Sequence, residues 1–282
     1  MSLAAGTDLS LLIRKLETII TVSDVERQAI ERLPITRRQL SAHQDIVRDG
    51  DHPKQCCLLL DGWTFRYKLL DEGKRQILSV HIPGDIPDLQ SLHLPVMDHS
   101  LSTLTACTLA FIPHEALFDL TRNHPGITAA LWRDTLVDAA IFREWMTNIG
   151  RRSTLGRITH LFCEIYLKLH AMGLARDFAC EMPLTQGDIA DAIGVSNVHV
   201  NRVLQELRGN GLIGLQDRRL TIPNLAALSA FAEFEPGYLR IGSGAQPHPI
   251  RRITAHRLNA IAAHGLGRPV PASERTERGI RE

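Results

Sequence analysis

Near its start the chain spaces apolar residues as a helix does. Leu9, Leu12, Ile13, Leu16 and Ile20 recur every three or four positions, which predicts a helix with one inward face. "TVSDVERQAIERL" follows, with Ser23-Asp24 placed to cap a second helix and Val25, Ile30 and Leu33 expected to face inward. From about Ile35 to His114 the pattern shortens. The turn pairs Asp49-Gly50, Asp61-Gly62, Glu72-Gly73 and Pro83-Gly84 punctuate short apolar runs at intervals of roughly 10 residues, predicting a compact all-β sandwich or roll. Thr64, Phe65, Tyr67 and Leu69 are good strand residues within it.

Helical spacing returns near Glu115 and strengthens after Pro125. In "GITAALWRDTLVDAAIFREWMTNIG", Trp132, Ala139 and Met146 lie seven apart, and Thr135, Phe142 and Ile149 form a second row between them. That pattern is the seam by which two long helices pair. Leu131, Ile141 and Trp145 lie off the seam and are expected to pack against the β-domain. A single buried helix in a monomer is the alternative, and the presence of two apolar faces favours pairing. Next come a basic junction (Arg151, Arg152, Arg157), another amphipathic helix, and then "LTQGDIADAIGVSNVHVNRVL". "LIGLQDRRLTI" after it reads as a hairpin around Gln216-Asp217-Arg218-Arg219. Beyond about Tyr238 no apolar pattern is sustained, so a flexible tail is expected, with at best a short helix around "HRLNAIAAH".

The "LTQGDIADAIGVSNVHVNRVL" stretch meets the steric demands of a helix-turn-helix. Two helices cross closely only over small residues, and Ala190 stands at that point; the turn favours positive φ, and Gly194 stands there. Ile189, Ile193, Val195, Val200 and Val203 fall on inward faces. Ser196 is placed to cap the second helix, leaving Asn197, His199, Asn201 and Arg202 among its leading polar side chains. An ordinary helical hairpin with no DNA role is the alternative, and the following hairpin, laid out as a wing, argues against it.

Composition narrows the class without deciding it. The chain has 282 residues, 44% hydrophobic and 22% charged, with a net charge of +1, as expected of a soluble protein long enough for two domains. No apolar run approaches the roughly 18 residues that span a bilayer, and the N-terminus does not read as secretory, so a cytoplasmic protein is expected. Cys56, Cys57, Cys107, Cys163 and Cys180 show no metal-ligand spacing and are expected to be reduced and mostly buried. Cys56 and Cys57 lie in a strand-like run where neighbours point to opposite faces, and Cys180 is either inert or an exposed redox thiol. Met182 to Ile222 carries four Arg against four acids; Arg240 to Glu282 carries eight Arg against three Glu. Phosphate attraction beyond the neutral module is therefore expected from the Arg151/Arg152/Arg157 junction and from the tail.

With these residues in view, the chain resembles the Crp/Fnr family of bacterial transcription regulators. The resemblance runs over roughly residues 10 to 235 and is carried by the glycine-punctuated β segment, "TLGRITHLF", "LTQGDIADAIGVSNVHVNRVLQELRGNGLI" and the wing. It implies an α+β fold: a β-roll of the cyclic-nucleotide-binding type, a long dimerisation helix and a C-terminal winged helix-turn-helix. The corresponding division is 1–122 for N-terminal helices and roll, 123–151 for the dimerisation helix and hinge, 152–238 for the DNA-binding domain and 239–282 for the basic tail. It further implies a homodimer that binds double-stranded DNA at a pseudo-palindrome, with half-sites about 34 Å apart, and that works with RNA polymerase. A regulator rather than an enzyme is expected. A β-roll metal enzyme using Asp85, Asp88, His93, Asp98 and His99 is one alternative, though these lack fixed ligand spacing, and a regulator acting mainly through protein contacts is another.

The resemblance also frames what is sensed and what is read. Family members that bind cyclic AMP hold it with a "GE…RS/RT" cassette. Here Gly84 is kept, Asp85 replaces the Glu, and His99 beside Ser100 stands where the Arg would be. No Arg or Lys occurs from Pro83 to Phe111, so the pocket is expected to lack a permanent cation and not to bind cyclic AMP or cyclic GMP tightly. The first cysteine is Cys56, so the N-terminal iron–sulfur ligands of the oxygen-sensing branch are missing, and haem ligands (His43, His52, His81) are candidates by type alone. No metal or cofactor is expected, and the effector is unidentified. On the second helix Asn197 and Val198 stand where relatives carry Arg and Glu, while Arg202 is retained as a guanine reader. Asn197 or Asn201 suits adenine, Val198 a thymine methyl or packing, His199 and Asn201 a base or a phosphate. The DNA-contacting set is then Ser196, Asn197, Val198, His199, Asn201 and Arg202, with Arg218 and Arg219 of the wing.

Overall fold

A computed structural model describes residues 9–241. The expectations for the tail from Gly242 onward, including its short helix, lie outside the described residues.

Helix α1 (Ser10–Glu17) buries Leu12, Ile13 and Leu16, as its spacing predicts. Helix α2 (Asp24–Glu31) is capped by Ser23, whose hydroxyl accepts from the Glu26 N–H while the Glu26 carboxylate accepts from the Ser23 N–H. Ile30 and Leu33 are buried, but Val25 is 68% exposed. Standing five residues from Ile30, it falls on the opposite side of the helix, which corrects its inward placement.

Seven strands follow: β1 (Thr36–Leu40), β2 (Asp45–Val47), β3 (Gln55–Asp61), β4 (Thr64–Leu69), β5 (Arg75–His81), β6 (Ser100–Thr103) and β7 (Cys107–Pro113). They form two antiparallel sheets, ordered β1-β7-β3 and β2-β6-β4-β5. Gly50, Gly62, Gly73 and Gly84 at the four turn pairs all take positive φ. On β3 the neighbours Cys56 and Cys57 point to opposite faces, Cys56 into the core shared with α1 and Cys57 into the core between the sheets.

Helix α3 (His114–Asn123) leads into α4 (Pro125–Arg151), with Pro125 in its first turn. Leu131, Ile141 and Trp145 are buried; Leu131 joins the core of the roll, but the Trp145 indole N–H donates to Glu164 of the following helix at 3.0 Å, which corrects its placement against the β-domain. On another side of α4, Trp132 and Met146 are 68% and 74% exposed and Ile149 and Thr135 are exposed, with Ala139 and Phe142 half-buried between them. The helix thus uses one apolar face internally and leaves the seven-spaced row uncovered.

Helix α5 (Thr154–Ala171), capped by Ser153, is followed by β8 (Ala179–Glu181), α6 (Gln186–Ile193), α7 (Asn197–Gly209), β9 (Gly214–Gln216), β10 (Arg219–Thr221) and α8 (Leu225–Phe231). Strands β9 and β10 are the expected hairpin, turning through Asp217 and Arg218, both at positive φ. The third strand, β8, pairs with β10 and has no counterpart in the sequence reading. A short helical turn, Pro236–Leu239, closes the described chain with Leu239 buried. No helix among the described residues is long and apolar enough to cross a membrane.

Candidate DNA interface and effector cavity

The α6–turn–α7 unit is built as its sequence requires. Thr185 caps α6, its hydroxyl bonded to Asp188 Oδ2 at 2.6 Å and accepting from the Asp188 N–H. Gly194 ends α6 at φ +72, the left-handed region that a β-carbon disfavours. Ala190 is buried where the helices cross, and Ile189, Ile193, Val200 and Val203 are buried around it, with Val195 half-buried. Ser196 accepts from the His199 N–H, so its side chain is engaged in capping α7.

The other side of α7 faces outward. Asn197 and Arg202 are exposed and Val198 is 81% exposed, which rules out packing as the reason for Val198. The Asn201 amide donates to Gln186 Oε1 at 3.0 Å, and the residue is half-buried. The Arg202 guanidinium donates to His199 Nε2 at 3.1 Å, which assigns that nitrogen as acceptor and orients the arginine from the preceding turn. Gln186, the first residue of α6, is absent from the DNA-contacting set read from the sequence; its place at the start of the motif is the one signal that pointed to it. Arg218 and Arg219 are exposed on the wing.

The basic junction is largely consumed internally. Arg152 pairs with Glu144 at 2.7 Å and donates to Asn148 at 2.6 Å, while Arg157 donates to the carbonyls of Arg152 and Ile193. Arg151 alone of the three is exposed, so the expected phosphate attraction from this junction is reduced to one side chain. Cys180 is buried in β8 and burial pushes its thiol up to about 12, which corrects the exposed-thiol alternative.

A cavity of about 470 Å³ lies between the roll and α4. Asp85 and His99 line it; Gly84 and Ser100 do not. Gly84 (φ +99) is needed for close approach instead, since a β-carbon there would meet the Leu11 carbonyl oxygen at 3.1 Å and Met172 Cε at 2.7 Å. The Ser100 hydroxyl accepts from the Asp49 N–H at 3.1 Å.

The expectation of a cavity without permanent cations is also corrected. Lys15 from α1, Arg66 from β4 and Lys168 from α5 all reach it, and none of them lies between Pro83 and Phe111. Each is already engaged. Lys15 lies 2.7 Å from Asp85 and 3.4 Å from Asp134; Lys168 donates to the Val80 carbonyl at 3.0 Å and lies 3.8 Å from Asp85; Arg66 binds Asp138 and the Pro87 carbonyl. Burial opposes ionisation of Asp85, but Lys15 and Lys168 outweigh it and hold the carboxyl well below its usual range. Burial raises the Asp134 pKa despite Lys15, with Asp85 and Asp138 adding to the rise. His81 is pushed down to about 4 by burial and by Arg66, and His99 is lowered by the same causes. Both imidazoles are therefore neutral at neutral pH. Asp134 and Asp138, four apart on α4 between its two apolar faces, are the sequence signal for this cavity that went unread.

The residues considered for a metal or haem do not converge. Asp88 accepts from the Cys57 N–H at 2.8 Å and His93 is exposed against the Phe118 ring; Asp98 bonds His99 and Asp85 lies 3.5 Å from His81, but these are two separate pairs, and no group of three such side chains comes together among the described residues. His43 and His52 are exposed, and His81 is bonded to Ser79.

Known proteins agree with this arrangement. The Crp-like helix-turn-helix domain matches residues 156–231, and the cyclic nucleotide-binding domain matches residues 37–124. The chain is 21% identical over 216 residues to the fumarate and nitrate reduction regulatory protein of Salmonella typhimurium, across 75% of this chain and 84% of that protein. Among solved structures it resembles FixK2 from Bradyrhizobium japonicum, with a TM-score of 0.62 and 21% identity over 70% of this chain and 97% of that one. It also resembles the c-di-GMP responsive global regulator CLP of Xanthomonas campestris, with a TM-score of 0.55 and 17% identity over 76% and 99% of the two chains. These two likenesses establish the fold.

Proposed function

From the premise that this chain belongs to the Crp/Fnr family of transcription regulators, we propose that it acts in the cytoplasm as a homodimer reading a pseudo-palindromic DNA site. The observation that carries this reading is the two-sidedness of α7. Val200, Val203, Leu204 and Leu207 are buried behind it, while Asn197, Val198 and Arg202 stand exposed at its front. Residues 196–208 then enter the major groove. Arg202 reads a guanine, Val198 meets a thymine methyl, Asn197 and Asn201 serve adenine, and Ser196 holds the helix start near the backbone. His199 keeps Arg202 extended, and Arg218 and Arg219 of the wing approach flanking phosphates.

The uncovered row Trp132, Thr135, Ala139, Phe142, Met146 and Ile149 supports pairing of two α4 helices about a two-fold axis, which sets the half-sites one helical turn apart. Regulation proceeds through contact with RNA polymerase. We take 1–122, 123–151, 152–238 and 239–282 as the working functional division.

The effector is a separate question. Gly84, Asp85, His99 and Ser100 stand where the resemblance puts a nucleotide cassette, and that only two of them line the cavity supports the reading that they do not act as one. The three cations there are already matched by Asp85, Asp134 and Asp138, which favours a protein that does not take cyclic AMP. That same pairing supports a second reading, an effector-independent regulator. Fluorescence anisotropy on a selected site tests the first reading: Arg202→Ala should weaken binding by about 1–3 kcal/mol and relax one base position. Unchanged affinity and unchanged base preference would remove Arg202 from its role.

A further inference from the structure

Strand β5 of the roll grips the first helix of the reading module. Arg75, at the start of β5, extends its guanidinium to two different carboxylates of α6: Nε donates to Asp191 at 2.8 Å and Nη2 donates to Asp188 at 2.8 Å. Its guanidinium carbon also stands 5.0 Å from the centre of the Phe65 ring, which limits how it can swing. Next to it, Gln76 donates from its amide to the Ala192 carbonyl at 3.2 Å, near the end of α6.

Asp188 is the more constrained acid. One of its oxygens caps α6 through Thr185 and the other receives Arg75, and its side chain is almost fully buried. The fork therefore fixes α6 at its first turn and again one turn later. Helix α7 packs on α6 through Ala190, Ile193, Val200 and Val203, so whatever fixes α6 fixes the direction in which Val198 and Arg202 project. Charge works in the same sense. Asp188 and Asp191 are two of the four acids in an otherwise balanced module, and left unpaired they would add negative potential beside an approaching phosphate backbone.

We propose that Arg75, a residue of the sensory roll, is a positioning residue for DNA recognition: by bridging Asp188 and Asp191 it holds the helix-turn-helix in its reading orientation. The roll then contacts the reading head directly through β5, in addition to the covalent link through α4. The inference rests on the DNA-binding reading above. A lysine is a poor substitute, because one ammonium on a flexible stem cannot reproduce a planar fork shared between two carboxylates.

The test uses the full-length protein and the DNA site that the wild type selects. Arg75→Ala should weaken binding about tenfold, and Arg75→Lys should recover part of the loss. Asp191→Asn should weaken binding less. Combined with Arg75→Ala it should add little, because both act on one contact. Hydrogen exchange without DNA should quicken at the α6 amides in Arg75→Ala while those of β3 and β7 stay protected. Wild-type affinity in Arg75→Ala, additive effects of the two substitutions, or faster exchange throughout the roll would each overturn the role of Arg75. If the wild type selects no DNA, the DNA-binding reading itself fails, and the exchange comparison still decides whether Arg75 holds α6.

Discussion

The Lys15 ammonium lies 2.7 Å from the Asp85 carboxylate, at the place in the roll where the family resemblance puts a ligand-binding acid. Helix α1 thus supplies the charge that Asp85 requires, and Asp134 of α4 shares it. Burial works against the charged lysine, but Asp134 and Asp85 outweigh it and raise its pKa. Lys15→Ala should cost about 2 kcal/mol in urea unfolding, because it strands the buried Asp85 and the half-buried Asp134, with Lys168 at 3.8 Å from Asp85 as the remaining cation. A loss below about 0.5 kcal/mol would mean that solvent already screens the pair.

The same pairing governs small-molecule binding. An entering phosphate would have to draw Lys15, Arg66 or Lys168 away from carboxylates that hold them, and neither His81 nor His99 carries charge at neutral pH. Isothermal titration at about pH 7.5 should therefore detect no binding of cyclic AMP or cyclic GMP at micromolar affinity or tighter. A micromolar or tighter dissociation constant would contradict this account of the cavity.

His160 makes stability depend on pH. It is buried on α5, accepts at Nδ1 from the Asn148 amide at 3.0 Å, and is pushed down to about 3 by burial and by Arg152. Its folded pKa is thus depressed below the unfolded value of 6.5. The stabilisation is present above pH 6.5 and is lost progressively as the pH falls towards 3, because only the unfolded chain takes up the proton. Burial raises Asp88 to about 6, which acts in the opposite sense over part of this range, so the contribution of His160 must be read as a difference. Relative to the wild type, His160→Gln should flatten the stability profile between about pH 6.5 and 4 by at most on the order of 3 kcal/mol, because Glu144, 3.3 Å from Nε2, favours the proton and opposes burial. Parallel profiles would show that His160 titrates alike in both states.

Exposure of Trp132 and Met146 on one side of α4 gives a test of assembly. Trp132→Glu with Met146→Glu should convert a dimer to monomers in sedimentation equilibrium while leaving the helix content unchanged. DNA affinity should fall with it, since two half-sites are then bound independently. A wild-type monomer at micromolar concentration would contradict the pairing seam.

The architecture was legible because its signals are local. Seven-residue spacing marked α4, turn glycines marked the roll, and Ala190, Gly194 and the inward valines marked the reading unit. What escaped depends on residues distant in sequence. Strand β8 is three residues long and exists through its pairing with β10, so no period could reveal it. The cavity cations come from α1, β4 and α5, far in sequence from the Pro83 to Phe111 cassette that they face. Val25 was misplaced because an apolar residue near a helix start is not thereby inward, and the Arg152 and Arg157 charges were counted as free when neighbouring carbonyls and Glu144 hold them. The contact of Arg75 with Asp188 and Asp191 spans more than a hundred residues and carries no local pattern.

The central claim is that α7 reads DNA as one of a two-fold pair. Systematic selection of random duplex DNA by the purified full-length protein tests it most directly. The account predicts an enriched pseudo-palindrome whose half-sites lie about one helical turn apart, each with a guanine whose preference disappears in Arg202→Ala. Enrichment of no sequence, or of a site without two-fold symmetry, would contradict it.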